Sequence, residues 1–224
     1  MVVRLADNRD PKSWASRLRA RRIRLFERLI APLPDPVRVL DVGGSPQFWR
    51  LYRDHNQRAL QLTLVNLDRR LTSPDHDFVY SDARDMGEFA DNSFDACFSN
   101  SLLEHVGTFC DQQRVAAEIR RVAPIYLVQT PYRHFPLEAH FLMPGFQYLP
   151  TPIRATLHQH FHLGWVARQP DPRLARTEVE QFRLLTRREM GDMFPDARIV
   201  HERIGPLTKA LLAVRAPGWD GVCP

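Results

Sequence analysis

A glycine pair follows an apolar run in the stretch VRVLDVGGSPQFW at residues 37–49. Gly43 and Gly44 allow the backbone to turn and to approach a ligand closely. Ser45 and Pro46 are residue types that begin helices, as the N-cap and as the first helical residue. The turn therefore joins a strand to a helix whose positive N-terminal end faces the turn. Taken by itself, the stretch fits a cofactor loop and a structural turn equally well.

Polar side chains follow each of the next three apolar runs. They are Asn66 and Asp68 after the second run, Asp82 after the third, and Asn100 with Ser101 after the fourth. In a doubly wound sheet an acid about 20 residues beyond the glycine turn holds a ribose, and ligands lie at the carboxyl ends of the strands. Each residue by itself is typical of a turn or a cap, but the ordered set predicts a ligand-binding edge.

A second group of polar and aromatic side chains lies in TPYRHFPLEAHFLMPGFQYLP at residues 130–150. Positioned histidines and carboxylates remove protons during group transfer. Glu138 and His140 are two residues apart and would point to one side of an extended segment. We therefore predict His140 as a base, with Glu138 orienting either His140 or the substrate. The alternative, equally favoured, is that these groups only hold the segment together by hydrogen bonds.

Three histidines, His158, His160 and His162, occupy alternate positions in LHQHFH. On a strand they would share one face, and together with Glu138 they could bind a divalent metal. No cysteines accompany them, so we favour a polar loop surface.

Strand-like and helix-like stretches alternate from residue 37 to residue 130, which predicts βαβ units and a parallel sheet. The strands are expected at 37–42, 62–68, 77–83, 93–100 and 124–130, and the helices at 46–57 and 111–122. The alternation stops at 131–172, a proline- and histidine-rich stretch without a clear period. Because such long connections are usually functional, we expect a lid there.

Regular structure is expected again near the end of the chain. Thr186 with Glu189 three residues later forms a capping box in LTRREMGDMF at 185–194. The stretches 197–204 and 207–214 are expected to form a pair of strands joined by a turn.

The basic residues concentrate in the first 30 positions, which hold nine Lys/Arg and three Asp/Glu, whereas the remaining 194 hold 22 and 23. A helix is expected at 13–31, with Ser13 as its N-cap. We favour a helix that packs on the domain and exposes its arginines, with contact to an anionic membrane surface as the alternative. The neutral remainder argues against a nucleic-acid-binding protein.

The chain resembles class I S-adenosylmethionine-dependent methyltransferases, of the methyltransferase type 11 kind. The resemblance rests on VLDVGGSPQFW, VNLD, SDARDM, FADNSFDACFSNSLLEHVG, EIRRVAPIYLVQTP and LTRREMGDMFPDARIVHER. It implies an α/β, Rossmann-like fold: a seven-stranded, mostly parallel sheet with helices on both faces and an antiparallel last strand. A cap insertion is expected after the fifth strand. Pro46 departs from the third glycine or small residue that is usual in the family.

The resemblance also implies roles for individual residues. Asp41, Gly43 and Gly44 would contact the methionine part of the cofactor, and Asn100 would lie near the sulfonium. The remaining cofactor contacts would be Asp68 or Asn66 at the ribose and Asp82 with Ala83 at the adenine. The pair Glu104–His105 would border the cofactor, with His105 catalytic or simply satisfied at a helix end. The acceptor side would include Tyr132, Arg133, His134 and Phe141.

We therefore expect transfer of a methyl group from S-adenosylmethionine, leaving S-adenosylhomocysteine, to a hydroxyl of a small molecule, sugar or lipid-linked glycan. The alternatives are an N-methyltransferase and a non-catalytic binder of the same fold. A dinucleotide oxidoreductase should carry a three-glycine fingerprint, which the turn lacks. No metal is expected, with a divalent ion as the alternative.

The expected organisation is a basic helix with its linker at 1–36, a methyltransferase domain at 37–215 with an acceptor-binding cap insertion at 131–183, and a tail at 216–224. No apolar run is long enough to span a bilayer. The three cysteines suggest neither a disulfide framework nor a metal site, so we expect a cytoplasmic protein. A homodimer and peripheral membrane contact through the first helix are also considered.

Overall fold

A seven-stranded sheet forms the centre of the computed structural model, which describes residues 13–51, 58–71 and 76–219. The strands are β1 (Val37–Val42), β2 (Leu60–Asn66), β3 (Asp77–Tyr80), β4 (Ala96–Asn100), β5 (Ile125–Pro131), β6 (Arg198–Ile204) and β7 (Leu207–Arg215). Their order across the sheet is β3-β2-β1-β4-β5-β7-β6. Strand β7 is antiparallel to β5 and β6, whereas the other neighbouring pairs are parallel. The predicted fold class, including the antiparallel last strand, is confirmed.

Helices cover both faces of this sheet. They are α1 (Trp14–Ile30), α2 (Pro46–Leu51), α3 (Phe109–Val122), α4 (Thr151–His160), α5 (Pro172–Glu180) and α6 (Arg187–Met193), with short 3₁₀ turns at Leu103–His105 and Phe146–Tyr148. The second half of the helix expected at 46–57 lies outside the described residues. None of the described helices combines the length and the apolar composition that a bilayer span requires.

Successive residues of a strand face opposite sides of the sheet, so the buried strands supply two apolar layers. In β1, Leu40 belongs to the layer that packs against α3 and α6, and Val39 belongs to the layer that packs against α1. Both side chains are fully buried. These two layers bury both faces of the sheet, so a ligand site has to lie at an edge such as the carboxyl ends of the strands.

Helix α1 begins where the sequence predicts, since the Oγ atom of Ser13 accepts a hydrogen bond from the backbone N–H of Ser16 at 3.0 Å. Leu18, Leu25 and Leu29 are buried against the sheet. The arginines expected to face solvent are exposed, namely Arg17, Arg21, Arg24 and Arg28. The favoured interpretation, a helix packed on the domain, is confirmed for α1.

The last elements also form as expected. Thr186 and Glu189 form the predicted capping box of α6, with each side chain bonded to the backbone N–H of the other. Strands β6 and β7 pair through a turn at Gly205, whose φ of 56° lies in the left-handed region that favours glycine.

The segment between β5 and α6 is more regular than its sequence suggests, because it contains α4 and α5. These two helices and the preceding loop enclose a small apolar cluster of their own, made by Phe141, Phe146, Ala155 and Val179.

Candidate active site

The glycine turn lies at the carboxyl end of β1, between Val42 and the first residue of α2, Pro46. Gly43 has a φ of 80°, and a Cβ atom there would lie 2.8 Å from Cδ1 of Leu102. A Cβ atom at Gly44 would lie 2.1 Å from Oδ2 of Asp41. Both positions therefore require glycine, the first for its backbone conformation and both for the space around them.

Asp41 lies beneath the turn and is almost fully buried. Its Oδ2 atom accepts a hydrogen bond of 2.6 Å from Nε1 of Trp49. Burial raises the pKa of the Asp41 carboxyl to about 7, and the hydrogen bond from Trp49 opposes that rise. The side chain thus supports the turn from below.

Asn66, the last residue of β2, is hydrogen-bonded to the turn. Its Nδ2 atom donates hydrogen bonds to the carbonyl oxygens of Gly43 (3.2 Å) and Gly44 (3.0 Å), and its Oδ1 atom accepts from the backbone N–H of Asp68 (3.0 Å). The Asp68 carboxylate pairs with Arg70 at 2.8 Å, and the hydrogen bond from Arg70 lowers the pKa of Asp68 to about 2. Asn66 therefore borders the turn directly, whereas Asp68 is turned to Arg70.

A cavity of about 410 Å³ opens beside the turn, at the carboxyl ends of β1 to β4. We call it the cofactor cavity. Its lining includes Gly43, Asn66, Asp82, Ala83, Leu102 and His105. Arg84 pairs with the Asp82 carboxylate at 2.6 Å, and its hydrogen bonds lower the pKa of that carboxyl. The structure thus brings together four cofactor residues predicted from the sequence.

A second cavity of about 400 Å³, the acceptor cavity, lies at the carboxyl ends of β4 and β5. Its lining includes Asn100, Glu104, His105, Tyr132, His140 and Lys209. His105 lines both cavities, so the two adjoin at its imidazole.

Glu138 holds His140 in place from behind. The Oε2 atom of this buried carboxylate accepts from the backbone N–H of His140 (2.7 Å) and of Phe141 (2.6 Å). Its Oε1 atom lies 2.9 Å from Nδ1 of His140. Because a carboxylate accepts hydrogen bonds, this contact favours the neutral tautomer of His140 that has its proton on Nδ1 and a lone pair on Nε2. The two side chains therefore lie side by side, as their spacing in the sequence suggests.

The lone pair on Nε2 of His140 faces Nε2 of His105 at 3.4 Å. The two rings meet edge to face, and the His140 ring stacks on Phe182 with ring centroids 4.0 Å apart. Desolvation lowers the pKa of His105 to about 4, and the neighbouring His140 adds to that effect. His105 is therefore neutral near pH 7.

Glu104 lies fully buried beside the two histidines. Its Oε2 atom accepts a hydrogen bond of 2.9 Å from Oγ1 of Thr130. Its Oε1 atom is buried and has no hydrogen-bond partner among the described residues. Burial raises the pKa of this carboxyl. A buried oxygen without a hydrogen-bond partner destabilises the folded state, so the position of Glu104 needs an explanation other than packing.

Two cationic side chains, Arg22 and Lys209, also line the acceptor cavity. Arg22 of α1 is bonded to Glu202 through two of its nitrogens, and its Nη1 atom donates to Asn100 (2.7 Å) and Gln129 (2.8 Å). Burial, together with the nearby charge of Arg22, lowers the pKa of Lys209 to about 8. Sequence reasoning missed both cations. The single available signal was that Lys209 is one of two lysines in a chain with 29 arginines.

The other acceptor residues predicted from the sequence lie apart from this cavity, except Tyr132, which lines it. Arg133 and His134 are exposed. Phe141 is buried in the apolar cluster beneath α4. Within the described residues these three do not line the acceptor cavity.

The idea that three alternating histidines share a strand face is wrong, because the stretch begins inside α4. His158 is buried and its Nε2 atom lies 2.6 Å from the Glu178 carboxylate of α5. His160 and His162 are exposed. Glu138 is bonded to His140 instead, so this set does not form a metal site.

Residues 38–124, which contain the glycine turn and the Glu104–His105 pair, match the family model described as a methyltransferase domain. This stretch is therefore identified as an S-adenosylmethionine-dependent methyltransferase domain. A search of curated protein sequences finds no match.

Solved structures share the fold of this chain at low identity. Phosphoethanolamine N-methyltransferase 2 of Haemonchus contortus, solved with S-adenosyl-L-methionine, is 17% identical over 84% of this chain and 39% of its own, with a TM-score of 0.53. The chain thus spans well under half the length of that relative.

Two further structures match over most of both chains. One contains the Haloferax volcanii Trm112 methyltransferase activator with a candidate methyltransferase; it is 15% identical over 95% of each chain, with a TM-score of 0.50. The other, from Rhodobacter sphaeroides, is described as a candidate zinc-dependent alcohol dehydrogenase and is 10% identical over 85% of this chain and 87% of its own, with a TM-score of 0.56. At such identities these likenesses concern the fold.

Proposed function

We propose that the methyltransferase transfers a methyl group from S-adenosylmethionine to a hydroxyl group of a small molecule, a sugar or a lipid-linked glycan. The observation that carries this proposal is the position of His105, which lines both cavities. A cofactor in one cavity and an acceptor in the other would meet at this side chain. Holding both partners in line is a large part of what catalyses a displacement.

The cofactor would lie along the carboxyl ends of the strands, where ligands of doubly wound sheets bind. Its methionine part would lie at Gly43 and Gly44, above Asp41, with the sulfonium towards Asn100. Asn66 or Asp68 would hold the ribose, and Asp82 with Ala83 would contact the adenine.

In the reaction the acceptor oxygen forms a bond to the methyl carbon while the carbon–sulfur bond breaks. The electron pair of that bond stays on sulfur and leaves S-adenosylhomocysteine. The acceptor hydroxyl must also lose its proton, so it needs an activating group. The pair of Glu138 and His140 beside His105 supports this role, because Nε2 of His140 presents a lone pair at the point where the cavities adjoin.

The cellular location, the membrane contact and the oligomeric state of the protein are also proposals. The sparse cysteines favour the cytoplasm. The exposed arginines of α1 would suit an anionic membrane surface that presents a lipid-linked acceptor. Gel filtration would test the homodimer that we retain as a further proposal.

The test begins with calorimetric titration of S-adenosylmethionine into the protein. Saturable binding is expected, and its absence at high micromolar cofactor would overturn the proposal. Methyl transfer from labelled cofactor is then measured on matched acceptors that differ only in a hydroxyl or an amino group. Hydroxyl preference, lost in His140→Ala with cofactor affinity retained, is the expected result. Amino preference would establish an N-methyltransferase, and binding without any turnover would establish a non-catalytic protein.

A further inference from the structure

Glu104, His105 and His140 bring three metal-ligating groups to the point where the two cavities adjoin. One ligand atom from each residue lies within 4.8 Å of the others. We propose that these residues bind one divalent transition-metal ion, of the class represented by Zn²⁺. The inference rests on the proposed function and specifies how the acceptor is held.

The distance between the two histidines suits a shared ion. With zinc–nitrogen bonds of about 2.0–2.1 Å, two imidazole nitrogens on a tetrahedral ion lie about 3.4 Å apart. The Nε2 atoms of His105 and His140 are 3.4 Å apart. A hydrogen bond from nitrogen is ordinarily shorter, at about 2.7–3.2 Å. The two rings therefore already have the spacing of two ligands, without movement of either.

Glu138 supplies the support that a metal-binding histidine usually has. Such a histidine donates its other ring N–H to a carboxylate or carbonyl, which fixes the tautomer and the ring orientation. Nδ1 of His140 lies 2.9 Å from Oε1 of Glu138, and the other oxygen of Glu138 is fixed by two backbone N–H groups. This leaves Nε2 of His140 as a fixed lone pair directed towards His105.

Glu104 provides an independent observation. Its side chain is fully buried, yet its Oε1 atom has no hydrogen-bond partner among the described residues. Thr130 satisfies only the other oxygen. Leaving a buried acceptor unpaired is a cost to the folded state. An ion ligated by this carboxylate and the two imidazoles would remove that cost.

The ligand set indicates the kind of ion. Two imidazoles and one carboxylate suit zinc and neighbouring transition metals, whereas magnesium and calcium prefer oxygen ligands. The acceptor cavity leaves room for a further ligand, and an acceptor hydroxyl there would become more acidic beside the ion. Its proton would then pass to solvent water, and His140 would act as a ligand instead of a base.

The test uses untagged full-length protein freed of metal with a chelator. Zn²⁺ alone is titrated by calorimetry, and Co²⁺ is titrated while its visible absorption is recorded as a report of imidazole ligation. One ion per chain is expected. His140→Asn and the isosteric Glu104→Gln should each lose at least tenfold in Zn²⁺ affinity. Glu138→Gln should lose roughly 10–100-fold, as supporting residues of metal sites do.

His162→Asn is the matched control, since this histidine is exposed and lies outside the cluster, and it should bind Zn²⁺ as the wild type does. If Glu104→Gln fails to fold, His105→Asn replaces it, because His105 is exposed at one side. Unchanged Zn²⁺ affinity in both His105→Asn and His140→Asn would overturn the site. Metal-free protein that transfers methyl groups at the full rate would overturn the role of the ion in holding the acceptor, and it would leave the proposed function intact. Failure of the proposed function would appear separately, as missing S-adenosylmethionine binding.

Discussion

The carboxyl group of Asp41 fills the space in which Gly44 would carry a side chain: a Cβ atom built on Gly44 lies 2.1 Å from Oδ2 and 2.3 Å from Cγ of Asp41. Trp49 holds the carboxyl in that position by its hydrogen bond. The turn and the acid beneath it therefore depend on each other. A change in either should alter both the stability of the fold and the shape of the cofactor cavity.

Gly44→Ala should damage the turn, because the new methyl group must displace a buried carboxyl. Overpacking of this kind costs about 1–3 kcal/mol of the free energy of unfolding. We expect that loss in urea titrations and at least a tenfold loss of S-adenosylmethionine affinity by calorimetry. Gly191→Ala is the matched control, since nothing lies within 4 Å of a Cβ atom there. It should be neutral or stabilising by about 0.5–1 kcal/mol. Equal behaviour of the two variants would contradict the close fit between Gly44 and Asp41.

Asp41→Asn should make stability less dependent on pH. The pKa of Asp41 is raised to about 7 in the folded protein. The folded state therefore binds more protons than the unfolded state between about pH 4 and about pH 7, so wild-type stability falls as the pH rises through that window. The amide cannot ionise and its oxygen can still accept from Trp49.

From about pH 5 to about pH 8, the free energy of unfolding of Asp41→Asn should therefore rise relative to wild type by about 2–3 kcal/mol. Urea titrations at the two pH values measure the difference. Asp192→Asn, at an exposed position of α6, should show no such trend. A constant offset between Asp41→Asn and wild type would argue that the carboxyl is not desolvated.

Asn66 and Asp68 should contribute unequally to cofactor binding. Asn66→Ala removes three hydrogen bonds, two of which tie the glycine turn to β2. We expect at least a tenfold loss of S-adenosylmethionine affinity, about 1.4 kcal/mol. Asp68→Ala releases an exposed ion pair with Arg70, which contributes little to stability, and should change the affinity less than about threefold. A larger loss for Asp68→Ala would instead place the ribose on Asp68.

The parts of this structure that the sequence predicts well are those decided by neighbouring residues. Ser13, Thr186 and Glu189 cap their helices with bonds that reach three residues along the chain. The glycine turn and the β6–β7 hairpin are equally local. Helices α4 and α5 were not foreseen because they are only 10 and 9 residues long, too short for a clear period.

The contacts that define the acceptor cavity join residues far apart in the sequence, so the spacing of residues does not predict them. His105 and His140 are 35 residues apart and meet because β4 and β5 are neighbours in the sheet. Glu138 and His140 were recognised as a pair because they are two residues apart. Glu104 joins them only through the fold. The sequence does not distinguish Arg22 from the other arginines of α1, because its burial depends on which side of the helix faces β6.

Arg22→Met should destabilise the protein more than any exposed arginine of α1. Arg22 is bonded to Glu202, Asn100 and Gln129, and its residue exposure is only 5%. Removing the cation leaves the Glu202 carboxylate, whose side chain is only 9% exposed, without its partner. Breaking a buried ion pair in this way costs about 3–5 kcal/mol, and this pair lies close to that limit. Arg24→Met, on the exposed side of the same helix, should stay within about 0.5 kcal/mol of wild type.

The double variant Arg22→Met with Glu202→Met separates the contribution of the ion pair to stability from the contribution of side-chain packing. Replacing both partners of a buried pair removes the unpaired charge, so the double variant should be more stable than Arg22→Met. Urea titrations of the four proteins of this cycle give the coupling free energy between Arg22 and Glu202. Additive losses would mean that α1 is held by its apolar face alone. A positive coupling would mean that Arg22 anchors α1 to β6, and with it the wall of the acceptor cavity that carries Asn100.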